Sequence, residues 1–230
     1  NVSGEVAFAQ VANSVAGANV SGQVANALVA GTVYLSNQPN ITSLGDLTSL
    51  TLTSTSIALG LDSGAGSFGI SIGNAAGNSG QAAQGIAIGK QAGRTDQETG
   101  AVAVGFSAGF SSQGMLGIAI GQGAGQTAQG ARGVAIGQSA GNGSQGGNAI
   151  AIGQSAGRLT QGEDSIALGS YAGDTSQGKN SIAIGEKAGN LNQAVNSIIL
   201  NATGNDLNQT TANTLVIKPV RNDITTNAMF

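Results

Sequence analysis

One sixteen-residue unit is repeated from Ile70 to Asn201, and it limits what this chain can fold into. Each unit opens on an aliphatic residue, a small residue, a second aliphatic residue and Gly; the last unit departs from this at its second and fourth residues. The units begin at Ile70, Ile86, Val102, Ile118, Val134, Ile150, Ile166, Ile182 and Ile198. Because so short a unit cannot bury its own apolar side, the repeat predicts coils that stack on one another.

Three further landmarks recur when the first residue of each unit is counted as position 1. Gly stands at position 4, Ala-Gly at positions 7 and 8, and Gln at position 12. We expect positions 4, 7 and 8 to form the corners of a coil, where tight turns need small residues. Position 12 holds Gln81, Gln97, Gln113, Gln129, Gln145, Gln161, Gln177, Gln193 and, in the degenerate last copy, Gln209. Stacked coils would place these amides ~4.8 Å apart, which predicts an axial glutamine ladder.

The opening tetrad predicts a short strand with two unequal faces. In Ile86-Ala87-Ile88-Gly89 the two isoleucines share one face and Ala87 lies on the other, because side chains alternate along a strand. We expect the isoleucines to fill the inside of the coil. The small residue at position 2 is then expected to pack against a neighbouring chain.

Charged residues are rare and restricted to certain positions of the unit. The twelve charges between Ile70 and Asn201 avoid positions 1 to 4, 7, 8 and 12. They occur at positions 5, 6, 9, 11, 13, 14 and 15, so solvent is expected to reach those positions.

Composition narrows the classes of function. The 230 residues include 39 glycines, 8% charged residues and neither His nor Cys. The commonest general base, the commonest metal ligand and all thiol chemistry are therefore missing, so neither an enzyme nor a cofactor-binding protein is expected. A net charge of −3 does not favour nucleic acid. The sequence also contains no apolar run long enough to predict membrane insertion.

The chain divides into four predicted segments. Residues 1–37 form a Val/Ala/Gly-rich stalk with an eighteen-residue repeat. Residues 38–69 form a Thr/Ser-rich β connector that ends in a capping coil at Ile57, and residues 70–201 form the solenoid. Residues 202–230 form a C-terminal cap, with a strand at 215–220, and a linker to a missing segment. Because the chain opens on Asn1 rather than Met, we expect it to be a fragment or a processed piece of a longer protein.

The repeat resembles a known class of surface protein. The segments SIAIGEKAGN and NAIAIGQSAG resemble the head repeats of trimeric autotransporter adhesins, which form trimeric left-handed parallel β-rolls. The sixteen-residue period, with Gln-Gly before the next tetrad, is closer to repeat-containing fibre proteins of large DNA viruses. The segments VSGQVANALVAGTV, QPNITSLGDLTSLTLT and LVIKPVRND are similar to the flanks of such viral repeats, where an intramolecular chaperone can follow.

The repeat predicts an all-β chain that forms a parallel β-solenoid. The resemblance implies that this solenoid is of the left-handed β-roll type and is assembled as a homotrimer. The resemblance implies a non-catalytic viral fibre, a shaft or head on the virion surface, which attaches to a host receptor or glycan and contacts other virion proteins. The alternative is the head of a bacterial trimeric autotransporter adhesin on the cell surface. A β-solenoid enzyme that degrades polysaccharide is the third possibility, and it would need convergent acids such as Asp96 with Glu98, or Glu163 with Asp164.

Candidate contact residues lie where a unit departs from the repeat. In the unit that starts at Val102, bulky apolar residues occupy positions that are polar or small in most other units. Exposed apolar clusters often mark contact sites, and aromatic rings stack on sugars. The predicted receptor or glycan contact comprises Phe106, Phe110, Met115, Leu116 and, more weakly, Tyr171. The same side chains could instead pack between the subunits of an oligomer.

A GxGxxG motif at residues 64–69 provides a weak hint of a dinucleotide site. No helix-forming sequence follows it, as a dinucleotide-binding βαβ unit would require. A glycine-rich entry to the repeat array is the preferred interpretation.

Overall fold

Residues 56–220 are described by the computed structural model, and they form a parallel β-solenoid of about ten turns. The described residues contain strands, turns and bends but no helix, so the all-β prediction is confirmed. None of them forms a helix that is long and apolar enough to cross a membrane. The predicted stalk, residues 38–55 of the connector and residues 221–230 lie outside the described part of the chain.

Sixteen short strands make up the solenoid. In chain order they are β1 (Ile57–Leu59), β2 (Ile70–Ile72), β3 (Ile86–Ile88), β4 (Thr95–Gln97), β5 (Val102–Val104), β6 (Ser111–Gln113), β7 (Ile118–Ile120), β8 (Thr127–Gln129), β9 (Val134–Ile136), β10 (Ser144–Gln145), β11 (Ile150–Ile152), β12 (Thr160–Gln161), β13 (Ile166–Leu168), β14 (Ile182–Ile184), β15 (Ile198–Asn201) and β16 (Leu215–Lys218).

The strands form two sheets, one on each side of the coils. The large sheet contains eleven strands, in the order β1-β2-β3-β5-β7-β9-β11-β13-β14-β15-β16. All its strands are parallel, and equivalent positions face one another, so that Ile86 pairs with Val102 and Ala87 with Ala103. The small sheet is formed by β4, β6, β8, β10 and β12. The tetrad at Ile57 pairs with Ile70 in the same register, and the predicted strand near residue 215 continues the sheet as β16.

Glycine is required at the corner that follows each strand of the large sheet from β1 to β14. Gly89 and Gly105 have φ values of 125° and 130°, a conformation that side chains disfavour. A Cβ on Gly89 would lie 2.6 Å from the carbonyl oxygen of Gly105. The corner glycines therefore allow the backbones of successive coils to approach one another, as predicted.

The inside of the coil is filled by alanine rather than isoleucine. Ala87, Ala103 and Ala119 at position 2 are fully buried. Their neighbours Ile88 and Ile120 at position 3 are 37% and 39% exposed. The prediction that the isoleucines fill the coil is wrong. The prediction that position 2 faces another chain is wrong for the same reason, since the alternation of the strand is reversed.

The physical cause is the small width of the coil. Across the interior from Ala103, a Cβ on Gly109 would lie 3.2 Å from the Ala103 Cβ and would also meet the amide of Gln113. Alanines at positions 2 and 7 form the continuous core together with Ile199 and Leu207. An isoleucine at position 2 would overlap atoms on the opposite side of the coil. The larger side chains must therefore point outward.

The last coil is the exception, because larger side chains enter its interior. Ile199 replaces alanine at position 2 and is fully buried. Leu207 is 7% exposed and pairs with Ala188, while Val216 packs against the same core. These three residues close the apolar interior where the regular units end.

A small increase in bulk inside the coil is expected to destabilise it. Ala119→Val adds two methyl groups in a filled interior, and such overpacking costs about 1–3 kcal/mol. Ala131→Val is the matched control, because Ala131 lies partly exposed in a turn of the same coil. Urea denaturation followed by circular dichroism should show a lower midpoint for Ala119→Val alone. Equal midpoints for the two variants would contradict the alanine interior.

Candidate functional site

The buried glutamines at position 12 hold each coil closed. The Gln129 amide nitrogen (Nε2) donates to the carbonyl oxygen of Ile118 at 2.8 Å and to that of Gly133 at 3.1 Å. The first carbonyl, at position 1, begins a strand of the large sheet. The second, at position 16, directly precedes the next strand of that sheet. The side chain thus bridges the two sheets across the coil, and Gln129 is only 2% exposed.

Hydrogen bonds between neighbouring glutamines occur along part of the column. Gln81 donates to Gln97 at 2.9 Å and Gln97 to Gln113 at 3.1 Å. Further along, Gln129 donates to Gln145 at 3.0 Å and Gln145 to Gln161 at 3.1 Å. The Oε1 atoms of Gln129 and Gln193 are buried without a hydrogen-bond partner. The bond to the position-1 carbonyl recurs in every coil from Gln81 to Gln193, so closure of the coil is the more regular role of this residue.

The outer side of the large sheet is a continuous aliphatic face. Positions 1 and 3 of its eleven strands hold only Ile, Val and Leu. Their side chains range from partly buried to exposed, with Ile184 at 38% and Leu168 at 41%. We call these two rows the aliphatic face. Its residues are Ile57, Leu59, Ile70, Ile72, Ile86, Ile88, Val102, Val104, Ile118, Ile120, Val134, Ile136, Ile150, Ile152, Ile166, Leu168, Ile182, Ile184, Ile198, Leu200, Leu215 and Ile217.

The two turns of each coil make up the other lateral surfaces. We call positions 5 to 9 the first-turn edge and positions 13 to 16 the second-turn edge. The first-turn edge leads from the large sheet to the small sheet, and the second-turn edge leads back. Because the two turns join opposite ends of the strands, they lie on opposite edges of the solenoid.

The predicted contact residues of the Val102 unit are divided between these edges. Phe106 and Phe110 lie at positions 5 and 9 on the first-turn edge, where Phe106 is 48% exposed. The Arg94 guanidinium carbon lies 5.3 Å from the centre of the Phe110 ring, within cation–π range. Met115 and Leu116 are exposed on the second-turn edge. The five predicted residues therefore do not form one cluster.

Tyr171 lies on the same edge as the two phenylalanines. It occupies position 6 of the unit that starts at Ile166 and is exposed. Beside it, the Arg158 guanidinium binds Asp174 through two hydrogen bonds of 2.7 and 3.0 Å. The hydrogen bond with Asp174 raises the pKa of Arg158, and burial opposes that increase. Arg158 is therefore held in place by an ion pair rather than free to bind an anion.

The charged residues follow the predicted pattern with one exception. Eleven of the twelve charged residues in the repeat are partly or fully exposed, but Asp174 is buried. Arg158 covers this carboxylate and supplies its counter-charge, which explains why burial is tolerated.

Three of the four carboxylates considered for catalysis are engaged separately, and the fourth, Asp96, is exposed. Glu163 accepts a hydrogen bond of 2.5 Å from Lys179, and that contact raises the pKa of Lys179. Asp164 accepts one of 2.9 Å from Asn148. Glu98 accepts the Met115 backbone N–H at 2.9 Å. Between residues 56 and 220, no three His, Cys, Asp or Glu side chains are grouped so that they could hold a metal ion.

The glycine-rich motif lies between two parallel strands. Residues 64–69 connect β1 to β2, and another strand follows the motif directly. A nucleotide-binding glycine loop would instead open a helix, whose N-terminus receives the phosphate. The geometry of this segment is that of a turn in the solenoid.

The column at position 5 was not singled out in the sequence as a candidate site. Gln122, Gln138 and Gln154 occupy it in three successive coils, directly after Phe106. All three are exposed, and none makes a side-chain hydrogen bond within the described residues. The recurrence of Gln at this position is visible in the aligned units, but its exposure on one edge with Phe106 and Tyr171 depends on the fold.

Comparisons with known proteins found no counterpart: no family model, no curated protein and no solved structure matches the chain.

Replacing a buried glutamine by glutamate is expected to destabilise the coil in a pH-dependent way. In Gln145→Glu a carboxylate would face the carbonyl oxygens of Val134 and Ala149, which now accept from the amide. Burial raises the pKa of such a carboxyl in the folded state. The protonated form can still donate one hydrogen bond, so the variant loses stability as pH rises above about 4.3, the ordinary value for Glu. Loss of the paired donor costs about 1–3 kcal/mol even in acid.

Urea denaturation at pH 4 and pH 8 measures this effect. Gln84→Glu, at an exposed turn position, is the matched control and should behave like the unmodified protein. If Gln145→Glu lowered the midpoint equally at both pH values, the proposed contact between the carboxylate and the carbonyls would be wrong.

Proposed function

We propose that this chain is a shaft or head segment of a trimeric, non-catalytic fibre on a virion surface, and that the fibre attaches to host cells. The observation that carries the proposal is the aliphatic face, which a monomer would expose to water. The location on a virion and the attachment to host cells rest on the resemblance of the repeats and their flanks to viral fibre proteins.

The size of the aliphatic face argues for association. Its eleven strands extend about 48 Å at ~4.8 Å per step. If each of its side chains exposes tens of Å², the face totals on the order of 1,000 Å², comparable with the roughly 800 Å² that each partner buries in a specific interface. The largest apolar patch on a typical monomer is only about 300–600 Å². No charge interrupts either row, although the turns on both sides carry charged residues.

A second copy of the same chain is the natural occupant of this face. The two rows are straight and have the same spacing in every copy, so row can pack against row along the whole solenoid. Closed cyclic symmetry would let each chain contact both neighbours, with its position-1 row against one and its position-3 row against the other. That the assembly contains three chains is inferred from the resemblance to trimeric fibres and adhesins.

The arrangement of the carboxylates supports a non-catalytic role. A glycosidase needs two carboxyl groups facing one substrate bond, separated by about 5–9.5 Å. Here Glu163 is paired with Lys179, Asp164 with Asn148, and Asp174 lies beneath Arg158. These pairings direct the acids to their own neighbours rather than into a shared groove.

The head of a bacterial trimeric autotransporter adhesin is the second candidate. The segments SIAIGEKAGN and NAIAIGQSAG favour it, because they resemble the head repeats of those proteins. In the complete gene, a downstream four-strand membrane anchor would indicate the bacterial adhesin, and a downstream chaperone domain would indicate the viral fibre.

Electron microscopy with gold-labelled antibodies tests the location. Antibodies raised against the purified chain should label projections on virus particles from its source. Label on a bacterial envelope would favour the adhesin instead. Release of reducing sugar from cell-wall polysaccharides by the purified chain would contradict the non-catalytic role.

Charges placed on the aliphatic face are expected to abolish assembly. The double variant Ile120→Lys with Ile136→Lys would bury two ammonium groups in an apolar contact, at a cost of several kcal/mol. Sedimentation equilibrium should give three times the 22.2 kDa chain mass for the unmodified protein and one times that mass for the variant.

A matched control puts the same charges in the same coils but on the second-turn edge. Ala131→Lys with Gly147→Lys should remain assembled, since Lys179 already occupies the equivalent position of another coil. A twofold mass would contradict the trimer, and a monomeric unmodified protein would contradict association itself.

A further inference from the structure

The first-turn edge concentrates the aromatic residues of the described chain. Of Phe68, Phe106, Phe110 and Tyr171, all except Phe68 lie on this edge. Phe106 and Tyr171 are exposed, at 48% and 36%. In a chain with only 3% aromatic residues, this distribution marks one edge as different from the rest of the surface.

Between the two exposed rings lies a row of free amides. Phe106 is followed at position 5 by Gln122, Gln138 and Gln154, and Tyr171 stands beside position 5 of the next coil. The three amides are exposed and have no side-chain partner within residues 56–220. Each offers both a donor and an acceptor, which is the pairing that a sugar hydroxyl requires.

The spacing of the row is held by the backbone. The carbonyl oxygens of Phe106, Gln122, Gln138 and Gln154 each accept an N–H from the following coil at 2.9 Å. Four steps of ~4.8 Å separate the ends of the row, about 19 Å in all. One step is close to the length of one pyranose ring in an extended polysaccharide chain. A linear glycan laid along the row would therefore stay in register with it.

We propose that this row, Phe106 to Tyr171 along the first-turn edge, binds an extended neutral oligosaccharide of about five sugar rings, because four ~4.8 Å steps separate the first ring from the fifth. Terminal rings stack on Phe106 and Tyr171, and hydroxyls of the intervening sugars bond to Gln122, Gln138 and Gln154. This inference rests on the proposed function, because it names a glycan as the class of receptor to which the fibre attaches.

Charge favours a neutral glycan over an acidic one. In the coils of Phe106, Gln122 and Gln138, positions 5, 6 and 9 of the first-turn edge carry no charged side chain. Arg158, at position 9 of the same coil as Gln154, is already paired with Asp174. Lys90 occupies position 5 of the coil before Phe106, outside the row. A sulfated or sialylated chain would therefore find no free cation in the middle of the row.

The layout also favours a glycan over a protein partner. Protein hot spots are apolar at the centre and polar at the rim. The order here is reversed, because the amides are central and the exposed rings lie at the two ends. Met115 and Leu116, on the second-turn edge, do not belong to this row.

Titration calorimetry with neutral, linear β-linked pentasaccharides and their disaccharides, using the full assembled chain, tests the site. At least one pentasaccharide should bind, and its disaccharide should bind roughly tenfold more weakly because it cannot reach both rings. Phe106→Ser and Tyr171→Ser should each weaken pentasaccharide binding by roughly tenfold, and Gln138→Ala should weaken it less. Val195→Ser, at an exposed position of the second-turn edge, is the matched control and should bind normally.

The mass of every variant, measured by sedimentation, separates binding from assembly. Weaker binding with an unchanged mass supports the site. If Phe106→Ser or Tyr171→Ser changed the mass, the edge would be a subunit contact and the proposal would be overturned. Binding to acidic glycans alone, affinities that the variants leave unchanged, or no glycan binding by the unmodified protein would each overturn it. None of these results would contradict the proposed function, because antibody labelling of virions tests the location of the fibre independently of glycan binding.

Discussion

The narrow interior of the coil is the constraint on which the rest of this structure depends. Two alanine methyl groups and one glutamine amide fill the space between the sheets, as in the coil that contains Ala103, Ala108 and Gln113. No isoleucine fits there, so the aliphatic residues that form the strands must point outward. Cohesion within one chain therefore comes mainly from backbone hydrogen bonds between coils and from the glutamine that closes each coil.

An interior made of methyl groups gives little hydrophobic stabilisation per residue. Burial of an alanine side chain removes far less apolar surface from water than burial of an isoleucine, for which full burial contributes roughly 1.5–3 kcal/mol. In this solenoid the larger part of that free energy can be gained only when the aliphatic face is covered. Stability and assembly are thus expected to be coupled, as they are in obligate oligomers.

Positions 5, 6 and 9 of the first turn are free of this constraint and can vary from coil to coil. Position 5 carries Lys90, Phe106, Gln122 and Ser170 in different units, while the alanine and glutamine of the interior stay the same. Recognition can therefore change along an edge without a change in the fold. The pairing of Arg158 with a buried Asp174 shows that an edge can even accept a buried charge when the adjacent coil supplies the partner.

The repeat period by itself determined the fold class, the register of the strands and the glycine corners, because stacking forces equal positions into equal places. It could not determine which side of a three-residue strand faces inward, since Ile-Ala-Ile has the same alternation in both orientations. Only the tertiary structure decided this, through a coil too narrow for Ile86 or Ile88 inside it. The fold likewise separated Phe106 and Phe110 from Met115 and Leu116, which are neighbours in sequence, because a strand of the small sheet runs across the coil between the two turns that carry them.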